Sequence, residues 1–77
     1  MWEVIGFEKD VKSDGSVSYT VYATKDFNQA DHRQGKKARR AWYRAAEVGY
    51  VPVIGDLVII ETENRGKYEI VIDISKV

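Results

Sequence analysis

The chain has 77 residues, room for one domain with a small core, and its 12 acidic and 12 basic side chains cancel to a formal net charge of zero. It contains no cysteine, which excludes disulfide bonds and thiolate zinc sites. The apolar runs are too short to cross a bilayer and the first residues do not resemble a signal peptide, so we expect a cytoplasmic protein without a membrane partner.

A β-hairpin is predicted over residues 2–11 and 17–24. In the second run, polar and apolar residues alternate from Val17 to Ala23, which is typical of a strand with one buried face. Between the two runs lies the pair Asp14 and Gly15. This pair favours a type I′ turn, in which both central residues have positive φ angles.

The segment after the first hairpin is ambiguous. Residues 27–35 are polar and predict a loop. Beyond them, four residues recur with the i, i+3, i+4, i+7 spacing of a helix face: Ala38, Ala41, Trp42 and Ala45. This spacing indicates a helix over about residues 36–48, which Gly49 could cap.

A strand is the alternative interpretation of the same residues. It would place Arg40, Trp42 and Arg44 on one face, and Arg39, Ala41 and Tyr43 on the other. The flanking hairpins favour a further strand between them. We therefore predict a strand over residues 37–44, followed by a short helical turn over residues 45–49.

The last third of the chain predicts a second hairpin. Residues 52–56 are a turn-like entry, and an apolar strand follows over residues 57–62. Asn64 and Gly66 supply the turn, because both tolerate positive φ angles. In the final strand four large side chains occupy alternate positions: Tyr68, Ile70, Ile72 and Ile74.

Together these elements predict a mainly β, small α+β domain over residues 1–77, in the order β-β-β-α-β-β. That order predicts a five-stranded OB-like barrel, with an SH3-like barrel as its near neighbour. If the central segment is helical throughout, the order becomes β2-α-β2, a four-stranded sheet carrying one helix.

The chain also resembles the small, mostly uncharacterised proteins carried by phages and integrative elements of Gram-positive bacteria. The similar features are Tyr19-Thr20-Val21-Tyr22, Lys25, Phe27, Gly35, Trp42 in a basic stretch, Tyr50-Val51-Pro52, Gly55-Asp56-Leu57-Val58 and Asn64-Arg65-Gly66-Lys67. The resemblance implies a phage or mobile-element setting inside a host cell, and a strand around Trp42. It implies no particular activity.

Residue types needed for catalysis or metal binding are sparse. The single histidine, His32, lies beside Asp31 in a polar loop, and no serine has a recognisable nucleophile context. The segment starting at Asp10 faintly resembles a calcium loop, but Lys12 and Val21 stand where oxygen ligands are needed. The glycines form no phosphate-binding motif. We expect no enzyme activity, no cofactor and no metal.

The unequal distribution of charge is the main functional signal. Residues 25–44 contain seven Lys or Arg and two Asp, a net charge of +5, between flanks of −2 and −3. Basic side chains interleaved with aromatic rings are typical of single-stranded nucleic-acid binding. The predicted binding residues are Lys36, Lys37, Arg39, Arg40, Trp42, Tyr43 and Arg44.

Three other interpretations of this basic segment remain open. Trp42 could belong to the core, with the arginines forming a solvated face. The segment could instead bind and occlude an acidic surface of a host protein, with Arg and aromatic residues as anchors. Alternatively, complementary acidic and basic faces could join two copies into a homodimer.

Overall fold

A computed structural model describes residues 1–27 and 34–77 of the chain. Within these residues lie five strands: β1 (Trp2–Val11), β2 (Val17–Asp26), β3 (Lys36–Arg44), β4 (Leu57–Arg65) and β5 (Tyr68–Lys76). They form one antiparallel sheet in the order β3-β2-β1-β4-β5. The predicted mainly β fold and both predicted hairpins are therefore confirmed.

The first four strands form a Greek key, because β4 returns across the sheet to lie beside β1. Only two pairs of residues, at the start of each strand, join β1 to β4. The junction is extended by Val4, whose N–H donates to the Asp56 carbonyl at 2.9 Å and whose carbonyl accepts the Gly55 N–H at 2.8 Å. The two halves of the sheet are thus connected at one end of β1.

The core lies on the face of the sheet that both hairpins share. Its buried side chains are Val4, Tyr19, Val21, Tyr43, Val48, Val58 and Ile74. The rings of Tyr19 and Tyr43 lie 5.7 Å apart between centroids. The Tyr43 hydroxyl donates to the Tyr50 carbonyl at 2.8 Å, so the largest core residue has its polar atom satisfied.

The helix predicted before the fourth strand is wrong. After β3 the chain makes a single turn, in which the N–H groups of Glu47 and Val48 donate to the Arg44 carbonyl at 3.0 and 3.1 Å. The alternative helix over about residues 36–48 is also wrong, because β3 pairs with β2 along its whole length. That ladder outweighs the modest helical propensity of the segment. The described residues contain no helix long and apolar enough to cross a membrane.

The predicted barrel closure is wrong as well. Among the described residues the sheet keeps two free edges, β3 and β5. These edges run in the same direction and approach each other, and the Arg39 guanidinium donates to the Glu69 carboxylate across the gap. Side chains, rather than a backbone ladder, therefore connect the edge strands.

The turn between β1 and β2 also differs from its prediction. Gly15 has a φ of 87°, but Asp14 does not have the positive φ that a type I′ turn requires. The Gly15 N–H donates to the Lys12 carbonyl, and the Lys12 N–H donates to the Ser16 carbonyl, both at 2.9 Å. This is a three-residue loop, a type I turn followed by a left-handed glycine.

A bulge interrupts the alternation predicted along β5. The pairing with β4 shifts between Glu61 and Thr62, which leaves Ile72 as an extra residue in β5. As a result Val71 packs against the core, whereas Ile72 is 44% exposed. Single-residue bulges of this kind reverse the face that the following side chains occupy.

Two tyrosines, Tyr43 in the core and Tyr50 packed against it, should make the free energy of unfolding depend on pH in the alkaline range. Burial raises the pKa of Tyr43 above its ordinary value of 10.0, and burial with a hydrogen bond to Asp56 raises the pKa of Tyr50 to about 12. The folded state therefore holds these protons more tightly than the unfolded state. We expect the free energy of unfolding to be level below about pH 10 and to fall as the pH rises from about 10 to 12.

Urea unfolding at a series of pH values measures this dependence. In a Tyr43→Phe, Tyr50→Phe variant neither group titrates, so the decline above pH 10.0, the ordinary tyrosine pKa, should be smaller. An equally steep decline in the variant would show that other groups cause it.

Candidate functional site

β3 separates its alternate side chains between two faces of the sheet. Arg40, Trp42 and Arg44 point to the outer face and are exposed. Ala41 and Tyr43 point inward and are buried. This is the division that the strand interpretation predicted, and it brings two guanidinium groups and an indole to one surface.

The neighbouring strand continues this surface with three residues that carry hydroxyl groups. The register of β2 against β3 places Tyr22, Thr20 and Ser18 opposite Arg40, Trp42 and Arg44, respectively. Residues directly opposite on paired strands share a face of the sheet. We refer to these six residues as the Trp42 face.

Trp42 is the most prominent aromatic residue of this face. Its side chain is 51% exposed, so it does not belong to the core. The Arg44 guanidinium lies over the indole ring, 5.6 Å from its centroid. Arg44 also pairs with Glu47, since its Nη1 lies 3.3 Å from the Glu47 Oε1. The indole thus remains accessible, while one of the two adjacent cations is partly neutralised.

Acidic side chains limit the Trp42 face on the β1 side. Glu8 and Asp10 lie opposite Thr20 and Ser18 in the register of β1 and β2. The Tyr22 hydroxyl donates to Glu8 Oε1 at 3.0 Å, and this hydrogen bond to an anion raises the pKa of Tyr22. Positive charge is therefore concentrated on the β3 side of the face.

Of the other predicted binding residues, only Lys36 lies on the same outer side of β3. Arg39 lies on the inner side, where it bridges to Glu69 and lies over the Trp2 ring at 5.6 Å. Tyr43 is 2% exposed and is a core residue. Lys36 and Lys37 are exposed at the start of β3, where Lys36 points to the outer side, at the opposite end from Arg44, and Lys37 points to the inner side. The structure therefore places four of the seven predicted residues on the outer side of β3 and the other three on its inner side.

Two depressions border the Trp42 face, and Trp42 and Arg44 contribute to both. One, of about 540 Å³, lies along the gap between β3 and β5 and includes Arg65 and Glu69. The other, of about 430 Å³, lies between the β1–β2 turn and the end of β3. We call the second one the turn recess.

The turn recess contains residues that sequence reasoning missed, among them Lys12, Ser16 and Ser18. The hairpin pattern predicts that the β1–β2 turn lies at one end of β2. What it could not supply was the register with β3, which sets Ser18 opposite Arg44. Only that register brings the turn beside Trp42.

The described residues give little support for metal binding or acid–base catalysis at the Trp42 face. Among the residues that the structure describes, no three His, Asp or Glu side chains are grouped so that they could hold a metal ion. His32 and Asp31, the one histidine–carboxylate pair in the sequence, lie outside the described residues.

No known protein family, curated protein or solved structure matches this chain. The resemblance to small phage and mobile-element proteins therefore stays a prediction.

The different roles of Arg39 and Arg40 can be tested by measuring how their substitution changes the free energy of unfolding. Arg39 is 23% exposed in its side chain and contacts both Glu69 and Trp2, whereas Arg40 is exposed on the Trp42 face. We expect Arg39→Ala to lower the free energy of unfolding by about 1 kcal/mol, through loss of the ion pair and the cation–π contact. Arg40→Ala should change it by less than about 0.5 kcal/mol.

Urea unfolding of the two variants beside the unsubstituted protein measures the difference. Equal losses would mean that Arg39 does not hold β3 and β5 together.

Proposed function

We propose that this protein is a non-enzymatic binding module that binds single-stranded nucleic acid on its Trp42 face. The observation that carries the proposal is an indole, 51% exposed, between two exposed arginines on one side of a single strand. Exposed aromatic rings beside cationic side chains are the combination on which the bases of a single strand stack.

The spacing along β3 fits an extended polyanion. Arg40 and Arg44 are separated by four residues, about 13 Å along a strand. Trp42 lies midway, so a base stacked on its ring has a cation on either side for the adjacent phosphates. A duplex keeps its bases stacked internally, whereas a single strand offers them to aromatic side chains. This chemistry favours a single strand over a duplex.

The fold supports the same proposal. An OB-fold is a five-stranded, partly open Greek-key barrel that binds oligonucleotides on the face of its second and third strands. Here a Greek key joins the first four strands, the edges β3 and β5 approach each other, and the Trp42 face lies on β2 and β3. We therefore prefer an OB-like open sheet, without barrel closure, to an SH3-like barrel. The setting that we propose is a phage or mobile element acting in the host cytoplasm.

A second candidate function is occlusion of an acidic surface on a host protein. The observation that favours it is the free outer edge of β3, whose backbone groups could pair with a strand of a partner. The two functions differ in their energetics. Nucleic-acid binding weakens steeply with salt as counterions are released, whereas protein binding depends more on one or two anchor side chains.

Binding is tested by fluorescence anisotropy with labelled single-stranded DNA and RNA of about 12 nucleotides, at about 50 and 200 mM salt. We expect Trp42→Ala to weaken binding at least about five-fold through lost stacking. Arg40→Gln and Arg44→Gln should each weaken it and lower the salt dependence by about one counterion.

Matched controls are available on other parts of the sheet. Tyr68→Ala removes a ring that is 74% exposed but lies off the Trp42 face, and Lys9→Gln removes an exposed cation of β1. Both should bind within about two-fold of the unsubstituted protein, because neither contacts the proposed strand path. Absence of binding to DNA and RNA at the lower salt concentration would refute the proposed function.

Removing the acidic partner of Arg44 should strengthen binding. Glu47 pairs with Arg44 at 3.3 Å, so Glu47→Gln releases the guanidinium and removes a negative charge beside the strand path. An exposed ion pair is worth at most about 1 kcal/mol, so we expect affinity to rise about two- to five-fold.

The matched control is Glu61→Gln, which makes the same change in net charge at an exposed position of β4. Glu61 lies opposite Asp73 in the register of β4 and β5 and lines neither depression beside the Trp42 face. If both variants gain equally in anisotropy titrations, overall charge rather than Arg44 is responsible.

A further inference from the structure

The turn recess is a depression of about 430 Å³ beside the exposed ring of Trp42. Its volume falls within the range of about 300–1,000 Å³ that small-molecule ligands occupy in proteins. The Trp42 face alone accounts for an extended strand lying on the sheet. It does not account for a ligand-sized recess at the end of that path.

Small side chains create the recess. The β1–β2 turn contributes Gly15 and Ser16, and the turn after β3 contributes Ala45 and Ala46. A hydrogen bond of 2.9 Å from the Ala45 N–H to the Val17 carbonyl holds the two turns together. Because these side chains are short, the space between the turns stays open while its walls are fixed by backbone contacts.

The lining combines an apolar wall with a cationic rim. Trp42 and Val17 supply apolar surface, and Lys12 and Arg44 supply positive charge. Ser18 adds a hydroxyl, and Asp14 accepts the N–H and hydroxyl of Ser16 at 2.9 and 2.7 Å. An aromatic ring with a polar edge and an attached anion matches this combination, and a nucleotide has all three parts.

We propose that the turn recess holds one nucleobase of a bound single strand, stacked against Trp42, with a phosphate of that nucleotide near Lys12 and Arg44. This proposal rests on the proposed function and deepens it. One base is inserted into the protein, while the following nucleotides lie along β3 toward Arg40. The bound strand thus has a fixed point rather than a uniform contact along its length.

The intrinsic fluorescence of Trp42 reports occupancy of the recess. Trp2 is the second tryptophan, and it lies between Lys25 and Arg39 with its ring 4.6 and 5.6 Å from their cationic groups. Replacing it by Trp2→Phe keeps an aromatic ring there and leaves Trp42 as the sole indole. Stacking of a base on the indole should quench its emission.

The test introduces a larger side chain into the recess of the Trp2→Phe protein. Ala46→Leu adds a branched side chain within the recess, and Ser75→Leu adds the same side chain at an exposed position of β5 that lines neither depression. The probe is a six-residue deoxythymidine oligonucleotide. We expect Ala46→Leu to abolish quenching and weaken binding at least about five-fold, with little change in salt dependence. Ser75→Leu should bind within about two-fold of its parent.

A measurement on the unsubstituted chain tests the proposal without depending on whether the Ala46→Leu variant folds. Titration with deoxythymidine 5′-monophosphate should shift the backbone amide resonances of Gly15, Ser16, Ala45 and Ala46 more than those of β4. Oligonucleotide binding with full Trp42 quenching in Ala46→Leu, or shifts that spare these amides, would overturn the recess proposal and leave the proposed function intact.

Failure of the proposed function gives a different result. In that case the oligonucleotide neither binds nor quenches Trp42 in any variant, including the parent. A poly-glutamate peptide is added as a further probe. If it quenches Trp42 and the oligonucleotide does not, the recess accepts an acidic protein segment and the nucleobase proposal is overturned.

Discussion

The nine-residue pairing of β2 with β3 is the constraint on which the rest of the structure depends. It joins Asp26 to Lys36 at one end and Ser18 to Arg44 at the other, without a shift in register. Because side chains alternate with a period of two, a slip of one residue would bury the arginines and expose Tyr43. The small core and the outward direction of Trp42 therefore have a common cause, the fit of Tyr43 and Ala41 against Tyr19 and Val21.

How far the sequence predicts this fold depends on how local each signal is. The two hairpins are predictable because their alternation and turn residues lie within about ten residues of each other. The segment around Trp42 carries helical spacing as well as strand spacing, and only its pairing with β2 decides between them. The choice of turn at Asp14 and Gly15 was wrong for a similar reason, since the same pair fits a type I turn followed by a left-handed glycine.

The candidate site was predictable in part. Charge and aromatic content direct attention to the segment that forms β3, and strand alternation groups Arg40, Trp42 and Arg44. The predicted set of binding residues was too large, because composition cannot distinguish a solvent-facing cation from Arg39, which joins β3 to β5 through Glu69. The turn recess could not be predicted, since it combines residues from the β1–β2 turn with others more than twenty-five positions away in the chain. Such sites become visible only when the strand register is known.

The free edge of β3 has a consequence for the behaviour of the protein in solution. Free edges invite pairing between molecules, and charged side chains are one of the devices that prevent it. Lys36, Lys37, Arg40 and Arg44 give this edge a dense positive charge, so like edges repel each other. That repulsion depends on ionic strength and on the anions present. The tendency of the protein to self-associate is thus linked to the charge of the molecule bound to its surface. Neutralising the β3 edge removes the repulsion that prevents the sheets of two molecules from pairing through this edge.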